Sequence, residues 1–166
     1  MSEQPQLPLT PKDDRDLLEP LQKMAFEMCE SFGEEDFNLA VLRLPQPWRA
    51  LYSISRLDAE VQNGGFHQFF WNSEGKLNTA VEQDLRFLGA VPFSETFKRA
   101  VDCAEEHKVV ETKLRSTNTW VEFTAGYKTV PWEDFDQAYC RESPTLLQYV
   151  ARYVREHPAD FKIRPQ

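Results

Sequence analysis

The chain is short of the residues on which most catalytic chemistry and most sheet structure depend. Its 166 residues include three histidines, three cysteines and only two isoleucines. His67, His107 and His157 stand apart, with no cysteine, aspartate or glutamate at a recurring metal-ligand spacing. Cys29, Cys103 and Cys140 are odd in number and widely separated, the usage of reduced, buried thiols rather than of a disulfide framework. No Gly-x-Ser-x-Gly, phosphate-binding loop or His-Glu-x-x-His string occurs. Acid pairs such as Glu34-Glu35 and Glu105-Glu106 lie in polar sequence, away from the apolar burial that raises a carboxyl pKa. These absences point away from an enzyme and from any bound metal or cofactor. No apolar run approaches the roughly 18 to 20 residues that span a bilayer. The opening MSEQPQLPLTPKDD has no basic start followed by an apolar stretch, so the expected compartment is the cytoplasm.

Positive charge is scarce too. Nineteen Lys and Arg face 27 Asp and Glu, a formal charge of −8, which excludes a conventional phosphate-gripping surface. The charge is uneven. Residues 1–45 carry ten acids and four bases, residues 46–100 carry six of each, residues 101–142 carry nine acids and five bases, and residues 143–166 are net +2. Two acidic blocks therefore flank a neutral, aromatic-rich middle. A field of this sign steers cationic partners inward and repels nucleic acid.

Hydrophobic residues are 41% of the chain, enough for a core. Their spacing predicts a mainly α, multi-helix single domain. Residues 1–10, with Pro5 and Pro8, read as an extended lead-in, and Thr10-Pro11 as a helix start. From there to Gly33, Leu17, Leu21, Met24, Ala25, Met28 and Phe32 mark one face. Pro20 leaves two readings, an unbroken helix or a short turn and a helix from near Glu19. Further helices are expected over about 34–44, 48–63, a short one carrying Phe66, Phe69 and Phe70, 76–88, 92–106, 132–142 and 144–157. Thr117 to Val130 alternates through TWVEFT and reads either as a strand or hairpin or as a short helix. The organisation is a lead-in over 1–10, acidic helices over 11–45, a helical domain over 46–157 and a tail over 158–166.

One string stands out, EVQNGGFHQFFWNS from Glu60 to Ser73. Asn63-Gly64 is a helix stop, with Gly64 expected in the left-handed conformation, and Gly65 permits a tight turn before the next helix. Phe66, Phe69 and Phe70 then bury one face, and His67 is expected exposed or hydrogen-bonded. Asn63, Gly64, Gly65, Phe66, Phe69 and Phe70 thus form a structural corner. The same string resembles the signature of a DNA-mimic protein family, a resemblance covering roughly residues 46–150 and resting on the NGGFxQFF core. It implies a dimeric, mainly helical, non-catalytic protein. Such a protein occupies the DNA-binding surface of a transcription regulator and keeps it from its operator.

A mimic must set carboxylates where phosphates would lie. At 100° per residue, Glu27, Glu30 and Glu34 fall within about 60° of one another, opposite the apolar face, and Asp16 joins them if the helix runs through Pro20. One charge per about 4.5 to 6 Å of axis is sparser than the phosphate per roughly 3.4 Å of one DNA strand. A second acidic element or subunit is therefore required. Candidate contacts in the first block are Asp13, Asp14, Asp16, Glu19, Glu27, Glu30, Glu34, Glu35 and Asp36. The second block adds Asp102, Glu105, Glu106, Glu133, Asp134 and Asp136. Lys23 also lies on the stripe. An immunity or antitoxin-like module that neutralises a basic toxin or nuclease is the competing reading, and an enzyme with an unrecognised pocket a third.

Overall fold

In the computed structural model, residues 13–116, 119–142 and 146–161 are described. They form nine helices and no strand: α1 (Asp14–Ser31), α2 (Phe37–Leu42), α3 (Gln46–Ser73), α4 (Asn78–Phe87), α5 (Val91–Glu106), α6 (Lys108–Arg115), α7 (Trp120–Thr129), α8 (Glu133–Glu142) and α9 (Leu146–Glu156). The start expected at Thr10-Pro11 lies outside the described residues. The N-cap of α1 is Asp13, whose carboxylate accepts from Asp16 N at 2.9 Å. Pro20 does not divide α1. A proline removes one amide from the helix ladder, and here the carbonyl left without it belongs to Asp16, which is exposed and open to water. Leu17, Leu18, Leu21, Ala25 and Cys29 bury the opposite side.

The helix expected over 34–44 is shorter than its apolar pattern indicates. Asp36 caps α2 by accepting from Asn38 N at 2.9 Å, so Glu34 and Glu35 stay in the connection. The segment 117–130 falls partly outside the described residues, at 117 and 118; over 119–130 the strand or hairpin alternative is not what forms, since Trp120–Thr129 is helical. Lys108–Arg115 is a separate helix that the periodicity did not resolve. The tail expected over 158–166 begins instead with a 3-10 turn at Pro158–Phe161, whose Phe161 is buried with its ring 5.1 Å from Trp48.

The centre of the molecule is α3, which contacts α1, α2, α4, α7, α8 and α9. It kinks at Gly64 (φ −148°, ψ 25°) and Gly65 (φ 69°, ψ −178°). Gly65, not the expected Gly64, holds the positive φ. Beyond the kink Phe66, His67, Phe69, Phe70, Trp71 and Ser73 are all buried. A helix limb that is apolar on nearly every side belongs in the middle of a bundle. His67 is therefore not exposed: its ring is enclosed, with Nε2 2.8 Å from the Phe123 carbonyl oxygen.

Two carboxylates are buried in spite of their polar sequence surroundings. Asp84 accepts from Arg49 Nη2 at 2.8 Å and from Ser53 Oγ at 3.1 Å. Asp58 accepts from Tyr139 Oη at 2.9 Å and Gln62 Nε2 at 2.7 Å. Both serve the architecture, joining α3 to α4 and to α8. A buried charge held by its partner costs little net, whereas removing the partner strands it.

Candidate functional site

The first candidate surface is the outer side of α1. Because the helix is continuous, Asp16, Glu19, Glu27 and Glu30 fall within about 80° of arc, and all four are exposed. Lys23 sits among them, with its ammonium 3.9 Å from Glu27. An exposed pair of this kind contributes well under about 1 kcal/mol and leaves Glu27 open to a competing cation.

Several neighbours expected on this stripe have other tasks. Asp13 caps the helix, and Asp14 accepts from Arg155 Nη2 at 2.6 Å, tying α1 to α9. Glu34 leaves the stripe because α1 ends at Ser31 and Gly33 turns the chain at φ 66°. It pairs with Arg43 at 2.8 Å instead. Asp36 caps α2 and is bonded by Lys76, which holds its carboxyl below the ordinary value. Glu35 remains exposed in the connection.

The second surface joins α5 and α8. Phe93 meets Tyr139 at 5.5 Å between ring centroids, and the Arg99 guanidinium lies 5.6 Å over Phe135. The two helices therefore run antiparallel, and the end of α5 lies toward the beginning of α8. Asp102, Glu105 and Glu106 occupy the former, Glu133 and Asp134 the latter, and all five are exposed. Lys98 approaches Asp102 at 3.6 Å and Lys108 approaches Glu105 at 3.1 Å. Acids in the last turns of α5, like Glu27 and Glu30 near the end of α1, oppose the helix dipole. The helix dipole therefore does not explain their placement.

Asp136, expected in this second set, turns inward. Its Oδ1 accepts from Phe66 N at 2.8 Å, capping the second limb of α3 across the fold. Tyr127 Oη donates to its Oδ2 at 3.4 Å. A Cβ on Gly65 would lie 2.3 Å from that Oδ2 and 2.4 Å from Tyr127 Oη. The glycine is thus required by the approach of a carboxylate from α8 as well as by its own backbone. Asn63 closes the corner from outside, donating to Gln68 Oε1 at 2.9 Å. Phe66, Phe69 and Phe70 pack as expected.

Burial outweighs these hydrogen bonds and raises the Asp136 carboxyl above its ordinary value. A carboxyl raised in the folded state contributes stability that is present in acid and lost as pH rises through the folded pKa. Asp136→Asn retains an acceptor for Phe66 and has no such titration. Its stability relative to wild type is expected to rise from about pH 4 toward neutrality, and urea midpoints across that range measure it. Parallel curves for the two proteins would contradict the assignment.

A groove of about 300 Å³ opens between the α3–α4 turn and α5–α6, lined by Phe70, Glu74, Asn78, Glu105, Lys108 and Arg115 among others. Its charges are held by the chain itself. Lys108 pairs with Glu105, Glu74 with Lys76, and Arg115 donates to the Phe70 and Trp71 carbonyls that end α3. Among the described residues no group of three or more His, Cys, Asp or Glu is placed to hold a metal ion, and no helix is long and apolar enough to cross a membrane.

The molecule is an all-α domain with two groups of exposed carboxylates, one along α1 and one where the end of α5 meets the start of α8, while others such as Glu35, Glu95, Glu142 and Glu156 are spread over the rest of its surface. The family described as DMP19-like protein matches residues 42–157, and the chain belongs to that family, a family of DNA-mimic proteins. No curated protein and no solved structure matches the chain. The matched segment carries 16 acidic and 14 basic side chains, net −2, whereas residues 1–41 carry ten and three, net −7. Most of the negative charge thus precedes the segment that defines the family, and α1 stands outside it.

Proposed function

We propose that this protein is a non-catalytic DNA mimic of the cytoplasm. It binds the DNA-binding surface of a transcription regulator and keeps that regulator from its operator. The observation that carries the reading is the row of exposed carboxylates on α1, Asp16, Glu19, Glu27 and Glu30, anchored on the opposite side by buried Leu17, Leu18, Leu21, Ala25 and Cys29. Family membership supports it independently. Regulators present arginine and lysine to phosphates, and the same groups form charge-assisted hydrogen bonds with carboxylates. The α1 row alone is too sparse to match a strand of phosphates, so the α5–α8 acids or the α1 row of a second subunit complete the surface. The working form is a homodimer.

Affinity capture from native cytosol tests the reading. A DNA-binding protein is expected to be retained at low ionic strength and released as salt rises, because the contacts are between exposed charges. Retention only of proteins that do not bind DNA, or retention indifferent to salt, would overturn it.

A further inference from the structure

The helix α7 is apolar on two sides, and the fold covers one of them. Inward, the Phe123 ring packs against His67 at 4.7 Å and Trp71 at 5.4 Å, and the Phe123 carbonyl meets His67 Nε2. Gly126 lets the helix approach so closely that a Cβ there would lie 2.6 Å from the His67 ring. Outward, Trp120 is 77% exposed and Val121 73%, while Thr124, Tyr127 and Lys128 are exposed on the same arc. The spacing i, i+1, i+4, i+7, i+8 is that of a helix-packing seam. On α6, which packs against α7, Val109 is 84% exposed.

We infer that this face is the contact between two copies of the chain, an antiparallel pairing of α7 with α7 about a two-fold axis at Thr124. The seam is symmetric about that residue, so it complements itself as an isologous interface must. Antiparallel pairing sets Trp120 against Lys128 of the partner subunit, a cation over an indole face. It sets Val121 against Tyr127 of the partner subunit, apolar against aromatic. The small Thr124 at the centre permits close approach.

Charge opposes this occupant less here than over the acidic remainder of the surface. Residues 107–130 carry four basic and two acidic side chains, net +2, while the remainder of the chain sums to −10. Two copies meeting through this small positive charge are spared the acid–acid repulsion that the remainder of the surface would impose. The exposed apolar side chains offer on the order of 400 Å², within the range of the largest patches on monomers. With a polar rim they approach the roughly 800 Å² per subunit of a standard interface. The inference rests on the dimer of the reading above and gives it a contact face that leaves α1 uncovered.

Sedimentation equilibrium on the full chain is the test. Wild type is expected at twice the 19.4 kDa chain mass. Val121→Glu is introduced twice across a two-fold contact and should weaken dimerisation at least about a hundredfold, with helicity unchanged and the thermal midpoint lowered only by the lost association. In a Cys140→Ser background, Thr124→Cys should form an intersubunit disulfide on mild oxidation, and Leu39→Cys, exposed on α2, should not. A wild type that is monomeric at every concentration overturns the inference. So does a Val121→Glu dimer. A monomer that joins its regulator only through Trp120 also overturns it, assigning the face to another protein's helix. DNA-release activity is read separately: a dimer linked at Thr124 that never releases operator DNA refutes the mimic reading alone. Release by a protein that dimerises elsewhere refutes this inference alone.

Discussion

Gly65→Ala is expected to lower the unfolding free energy by about 3 to 5 kcal/mol. Two costs combine. At φ 69° and ψ −178° the backbone occupies a region open essentially to glycine alone, worth about 1 to 3 kcal/mol for any other residue. The added Cβ also meets Asp136 Oδ2 and Tyr127 Oη at 2.3 and 2.4 Å. Moving Asp136 away leaves Phe66 N, at the start of a buried helix limb, without its acceptor, a further cost of about 1 to 3 kcal/mol. In a domain of this size the sum corresponds to a fall of about 10 to 15 °C in thermal midpoint. Gly64→Ala is the control. Its φ is −148° and its Cβ would press mainly on the flexible Gln68 side chain, so a loss of about 1 kcal/mol is expected. Equal losses at the two glycines would show that Asp136 does not set the corner.

Charge reversal on α1 has the second large effect, and it separates function from fold. The double variant Glu27→Lys/Glu30→Lys is expected to lose about a hundredfold or more in affinity for the regulator. Each position exchanges a charge-assisted contact for a repulsion, and truncation alone of such contacts costs about 2 to 5 kcal/mol. The same change should leave thermal stability unaltered or slightly raised, because lysines near the end of α1 complement the helix dipole where the glutamates oppose it. A protein that becomes more stable and stops binding has lost a surface, not a fold. Undiminished affinity would move the contact to Asp102, Glu106, Glu133 and Asp134, within the segment that defines the family.

The sequence carried much of this arrangement. The apolar period placed α1, α4, α5, α8 and α9 within a few residues, because glycine and proline punctuate them and each buries a single face. The acidic row on α1 was legible by the same phasing. Glu34 was misplaced because Gly33 ends the helix before it. The exchange of Gly64 for Gly65 was hidden because the deciding group, Asp136, lies seventy residues along the chain. Nothing in the sequence marks Asp58 and Asp84 as buried, because only the fold brings Tyr139 and Arg49 to them. The ambiguity at TWVEFT has a related origin. Trp120 and Val121 face outward on α7 while Phe123 faces inward, so apolar residues on two sides of one helix imitate the alternation of a strand.

The central claim is that the protein competes with DNA for the same surface. Titration of the wild-type protein into a captured regulator bound to labelled duplex, followed by gel shift, tests this most directly. Molar excess is expected to release free duplex at low ionic strength, with the release weakening as salt is added and absent for Glu27→Lys/Glu30→Lys. A complex containing regulator, duplex and this protein together, stable at any excess, would contradict the account.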